Sequence, residues 1–182
     1  MNKADIEILR EQAQTNVYMA HGDVSKADCI LGFSFGYIDN NGKILPGKSN
    51  VQLASFIEHR LPPLPLIVQF EIADALEAVD PILTIREHRQ AGEYLNSREI
   101  AEQALVFMQS HDWQTAIIVT HPAMEARNDA ICKKLGILTV LPTGLASIEY
   151  DVKSAQPWTQ DANSWWKRED KVIDTCRERN WL

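Results

Sequence analysis

Residues 113–136 constrain the fold of this chain more than any other stretch. Ala116 to Val119 is a short apolar, β-branched run, which predicts a strand covered on both faces. Thr120, His121 and Pro122 follow at once, then a helical stretch carrying Arg127 and ending at Gly136. Pro122 suits the first helical position, where a missing N–H costs nothing. Gly136 stands where a left-handed cap is expected. Thr120 and His121 therefore mark the meeting of a strand's carboxyl end with a helix amino end. Backbone donors and the helix dipole favour an anion there, so the working surface is expected at this junction.

The same alternation extends along the chain. Residues 5–20 predict an amphipathic helix, with Ile6, Leu9, Ala13 and Val17 on one side. Strands are expected at 27–33, 64–70, 82–85, from 116, and at 137–141. Helices are expected at 50–60, 71–78, 96–110, 122–135 and about 163–179, the last rich in tryptophan. Residues 34–47 read as a polar loop with a turn at Asn40, Asn41 and Gly42. Strands alternating with helices predict one α/β domain over 1–182. Its sheet is mainly parallel, with about five strands and helices on both faces. If the strands lie in the order 3-2-1-4-5, the first and fourth are neighbours where the winding reverses. Ligands bind at such a point, and Ser34 and His121 would face one crevice.

Bulk properties narrow the function. With 45% hydrophobic and 24% charged residues, 182 residues suffice for a sizeable core. A net charge of −7 argues against nonspecific nucleic-acid binding, which needs a basic face. No apolar run approaches the ~20 residues needed to cross a bilayer. The first eleven residues are charged and lack the apolar core of a signal peptide. A cytoplasmic protein is expected. Cys29, Cys132 and Cys176 are far apart and odd in number, which predicts buried thiols rather than disulfides or zinc ligands. The histidines show no metal-ligand spacing, so no metal site is expected.

Two short motifs carry chemistry on paper. Gly42 to Ser49 matches G-x-x-x-x-G-K-S, in which Lys48 would contact phosphates and Ser49 magnesium. A turn sequence precedes it where a buried strand belongs, so the preferred reading is a loop with Ser49 capping the next helix. Gly32 to Gly36 matches G-x-S-x-G, the turn that lifts a nucleophilic serine, here Ser34. A loop follows it instead of the required helix. The plainer reading is a turn at which Gly32, Ser34 and Gly36 let a ligand approach the backbone.

Other candidates have double readings. Asn96 and Glu99 make a capping pair, Asn96 as cap and Glu99 reaching back to its amide; with Ser97 they also open a helix whose amino end could share the crevice. Arg127 is a surface cation or an anion clamp. Glu71, at the end of the second strand, is an acid or base candidate. Trp158, Trp165 and Trp166 are read as packing groups.

Taken in order, Cys29-Ile30-Leu31-Gly32, Asn96-Ser97-x-Glu99, and Val119-Thr120-His121-Pro122 with Arg127 and Gly136 resemble the YdcF-like family. The resemblance spans about residues 28–136. It implies a Rossmann-type three-layer α/β fold and, from one member, S-adenosylmethionine as a possible ligand. Many members have a histidine where this chain has Met124. Members also commonly have a Ser-Gly-Gly turn with a following glutamate where Val68-Gln69-Phe70-Glu71 stands here. Other members act in the bacterial envelope through a membrane anchor, a feature not read in this chain.

The function expected is a small-ligand crevice for an anionic or nucleotide-like molecule at the strand ends. Gly32, Ser34, Gly36, Asn96, Ser97, Glu99, Thr120 and Arg127 would bind the ligand, and His121 or Glu71 would move a proton. The alternative is a protein that binds S-adenosylmethionine or a nucleotide without chemistry. A serine hydrolase at Gly32–Gly36 and a nucleotide triphosphate site at Gly42–Ser49 are lesser readings. The residues leave substrate, catalysis and oligomeric state open.

Overall fold

The computed structural model describes residues 7, 8, 10, 11 and 20–182. The helix expected over 5–20 lies mostly outside the described residues, though Glu7, Ile8, Arg10 and Glu11 are helical.

Five strands form a parallel sheet: β1 (Cys29–Gly32), β4 (Leu66–Gln69), β5 (Leu83–Ile85), β6 (Thr115–Val119) and β7 (Leu138–Val140). Their spatial order is β5-β4-β1-β6-β7, which is the order 3-2-1-4-5 on which the neighbourhood of the first and fourth strands was conditional. β1 lies between β4 and β6, with Gly32 opposite Val68 on one side and Val119 on the other. Successive residues of a strand face opposite sides, and the core divides accordingly. Cys29, Leu31, Ala116 and Ile118 pack under α3 (Ser97–Gln109), α4 (Pro122–Lys134) and α5 (Ala162–Glu178). Ile30, Ile117 and Val119 pack under α1 (Gly47–Arg60) and the short α2 (Phe70–Ala73). The result is a three-layer α/β Rossmann-like fold. Each fully buried isoleucine contributes roughly 1.5–3 kcal/mol, so the apolar strand interiors hold the layers together.

Local chemistry sets most boundaries. Asn96 accepts the Glu99 amide at 3.1 Å and starts α3. Pro122 opens α4 behind His121, and Gly136 turns the chain out of it at φ +86°. Asp161 caps α5 through the Ser164 amide.

Residues 34–47 are more ordered than a loop. Ile38–Asn40 (β2) and Lys43–Leu45 (β3) pair antiparallel. Asn41 and Gly42 both adopt positive φ, at 55° and 85°, the requirement of a two-residue hairpin turn. Strands of three residues are too short to display periodicity, which is why the sequence reads as loop. α2 is likewise shorter than expected: Glu58 binds the amides of Glu77 and Ala78 and holds the chain outside a helix there. The three cysteines are buried free thiols. Among the described residues no helix is long and apolar enough to cross a membrane.

Candidate functional site

A cavity of about 240 Å³ lies beyond the carboxyl ends of β1 and β4. Ser34 and Gly36 after β1, Gln69 at the end of β4 and Glu71 in the first turn of α2 form one wall. Asn96, Ser97 and Arg98 bring the amino end of α3 to it. Met124 and Arg127 come from α4, Trp165 and Arg168 from α5, and Trp158 from the segment preceding α5.

The wall at β1 and β4 carries a buried carboxyl, Glu71. Glu71 is 6% exposed and its Oε2 has no hydrogen-bond partner. Burial pushes its carboxyl up to about 7, opposed by its own backbone amide and then by the neighbouring Ser34 hydroxyl. It is therefore close to half-ionised at neutral pH, the condition for a general acid or base. The Ser34 amide donates to Gln69 Oε1 at 3.1 Å and the Phe35 amide to Asn50 Oδ1 at 2.8 Å. These amides are consumed by the fold and offer no oxyanion site. β2 and β3 follow the Gly32–Gly36 turn instead of a helix. The nucleophile-lifting turn is thus absent. Gly32 is required by packing rather than by a ligand: a Cβ there would stand 2.8 Å from Val68 Cγ1. Gly36, at φ +69°, admits the close approach of Ser154 and Thr159.

The junction after β6, where an anion was expected, is filled by its own side chains. His121 is 1% exposed. Its ring stacks on Phe35 with centroids 3.9 Å apart, and its Nδ1 accepts the Ala123 amide at 3.2 Å. Tyr150 packs on the same ring. Desolvation drives the imidazole down to about 3, so it stays neutral. Nε2 has no hydrogen-bond partner, which leaves His121 and Ser34 unlinked. Thr120 is buried and its hydroxyl accepts from Asn128. β1 and β6 are neighbours, but aromatic rings close the gap between their tips and the cavity opens beside β4. Thr120 and His121 lie outside its lining.

α3 and α4 place the remaining candidates. Asn96 and Ser97 line the cavity. Glu99 does not, and it does not reach back to the Asn96 amide. It binds the Arg89 guanidinium through both oxygens, at 2.7 and 3.0 Å, and the Arg89 pairing holds its carboxyl down at about 2. Arg127 lines the cavity but is already paired: its Nε contacts Glu169 and its Nη1 donates to Ser97 Oγ at 3.1 Å. Its charge is offset from within.

The Gly42–Ser49 motif has no phosphate geometry. Its first glycine is in the β2–β3 turn, and the Asp151 carboxylate occupies the amino end of α1, accepting the Lys48 amide at 2.7 Å. Lys48 Nζ pairs with Glu149. Ser49 does not cap the helix; its hydroxyl donates to the Glu149 carbonyl at 2.8 Å.

Sequence reasoning gave Arg168 and Gln69 no site role and read Trp158, which lines the cavity, as a packing group. A signal for Arg168 existed. Trp165, Arg168, Val172 and Cys176 recur at helical spacing on α5, so the arginine interrupts an otherwise apolar stripe. Glu125, also unremarked, is fully buried on α4 with both oxygens unpartnered, and desolvation pushes it up to about 9. It lies outside the cavity lining. Among the described residues no group of three acidic, histidine or cysteine side chains is placed to hold a metal ion.

No family model matches this chain, and no curated protein or solved structure does so.

Proposed function

We propose that this chain binds a small anionic molecule in the cavity beside β1 and β4, with Glu71 transferring a proton to or from it. One observation carries the reading: a nearly fully buried carboxyl, unpartnered at Oε2 and poised near neutrality, on the wall of a cavity that arginines also line. Burial perturbs a carboxyl in this way at functional sites more often than elsewhere. Ser34 holds Glu71 in place and Gln69 holds the Ser34 backbone. His121 has no part in the proton step, because its ring is enclosed.

YdcF-like membership belongs to the same proposal. It rests on the ordered motifs of residues 28–136 together with the parallel sheet. Met124, at the position where members carry a histidine, lines this cavity. The proposal places the protein in the cytoplasm, in keeping with its three unpaired thiols.

A second reading has the same cavity holding S-adenosylmethionine or a nucleotide without chemistry. Tyr94 and Trp158 on the lining favour it, since each offers a ring to an adenine.

A thermal-shift screen of anionic metabolites and adenine-bearing ligands separates these. A true ligand at a hundredfold excess over its Kd stabilises by ~2.7 kcal/mol, which is about 5–10 °C for a chain this size. The proposal expects an anionic ligand that Glu71→Gln still binds but no longer turns over. The second reading expects S-adenosylmethionine or a nucleotide, unchanged after incubation. If no compound shifts the midpoint, or a crystal places the ligand elsewhere, both fail.

A further inference from the structure

We propose that Arg168 anchors a carboxylate, so that the cavity's ligand is a small organic monocarboxylate lying along the tryptophan wall. This rests on the ligand-binding reading above and names its substrate class.

The ion pairs around the cavity decide the charge. Arg89 and Arg98 face Glu99 and Glu102, two cations against two anions: Arg89 reaches Glu99 at 2.7 Å and Glu102 at 2.6 Å, and Arg98 reaches Glu102 at 2.6 Å. Arg127 is matched by Glu169. Arg168 lines the same cavity and takes part in none of the ion pairs among the described residues. Among the described residues no carboxylate comes within ion-pair distance of it, and Glu169, the acidic neighbour whose field it feels, is spent on Arg127. With Glu71 protonated a single carboxylate balances the Arg168 charge, whereas a phosphate dianion would bring an excess negative charge beside Glu71.

Geometry agrees with this count. The Arg168 guanidinium lies over the Trp158 ring at 4.8 Å and the Trp165 ring at 5.8 Å. Stacking of that kind fixes the plane of the fork and leaves its edge for a planar, two-oxygen partner. Burial pushes the group down from its ordinary value, the mark of a charge that gains from an incoming anion. A second donor is already in place: Arg98 lines the cavity, and its buried Nη1 has no hydrogen-bond partner. The tryptophan rings offer an apolar surface to the rest of the ligand. Glu71 lines the same cavity and would exchange a proton with a hydroxyl or similar group elsewhere on the ligand, which the carboxylate anchor itself does not need.

Calorimetric titration of the full chain with benzoate, at pH 7 and constant ionic strength, tests the anchor, with inorganic phosphate and phenyl phosphate as rivals. Saturable benzoate binding is expected, tighter than either phosphate. Arg168→Gln should weaken it at least tenfold, and Arg168→Lys by less, since one donor and the charge remain. Arg177→Gln, exposed on the same helix, should bind as the parent does. Circular dichroism and thermal melts confirm that each variant is folded. Tighter binding of a phosphate, no saturable benzoate binding, or equal benzoate affinity in Arg168→Gln would each overturn the anchor. Those results leave the cavity reading standing if any compound of the wider panel binds there. Only silence across that panel removes both.

Discussion

The His121 ring lies flat on Phe35, with centroids 3.9 Å apart and planes 12° from parallel. One ring follows β6 and the other follows β1, so the stack closes the space between the two strand tips. It turns a junction with all the attributes of an anion site into a structural plug. His121→Ala should therefore unfold the protein more easily rather than silence it selectively. Loss of the helix cap and of a buried ring together costs about 3 kcal/mol. His121→Asn, which keeps a capping oxygen, should cost less. Urea denaturation of the two variants reads the difference directly.

Arg127 and Glu169 are both almost fully buried, joining α4 to α5 behind the cavity. Removing one partner strands a charge in a dry interior, at a cost of about 3–5 kcal/mol. Arg127→Met and Glu169→Leu should each lower stability by that order. The combined Arg127→Met, Glu169→Leu variant should regain most of the loss. Equal and additive losses in a double-mutant cycle would show that the two side chains act independently.

Glu71 predicts how stability varies with pH. Its carboxyl titrates at about 7 when folded against an ordinary 4.5, so the folded chain binds the proton more tightly. Below pH 4.5 both states are protonated and nothing is lost. As pH rises from 4.5 to 7 the unfolded chain ionises first, and stability falls by about 3 kcal/mol. Glu71→Gln should thus be more stable than the parent at pH 8 and no better at pH 4. Glu125, pushed up to about 9, contributes a slope of the same sign to a higher pH. Denaturation midpoints at pH 4, 6 and 8, with and without Glu125→Gln, separate the two.

Asp151 occupies the anion position at the start of α1, which gives the Gly42–Ser49 motif a purely internal partner. Asp151→Ala should lower stability by about 1 kcal/mol, the ordinary loss of a helix cap. Lys48→Ala should leave the thermal midpoint unchanged, because its pair with Glu149 is exposed. Magnesium–ATP should shift the midpoint of neither variant nor of the parent. A nucleotide-dependent shift abolished by Lys48→Ala would restore the phosphate-loop reading.

Local chemistry in the chain was enough to place nearly every layer-forming element. Val119 to Gly136 announces strand, proline-opened helix and glycine stop without help from the rest of the fold, because backbone sterics and capping act between near neighbours. The order of the strands was one of the few that alternating elements allow, and the tertiary structure selected it. Which polar side chains face a cavity was not. Thr120, His121 and Glu99 have the right identities at strand and helix ends, yet Asn128, Phe35 and Arg89 complete them from elsewhere. Arg127 looked like a ligand clamp until Glu169, 42 residues later, neutralised it. Arg168 looked like part of a packed helix, and among the described residues no carboxylate pairs with it. A polar group's availability depends on what else reaches it through space, and only the tertiary structure decides that.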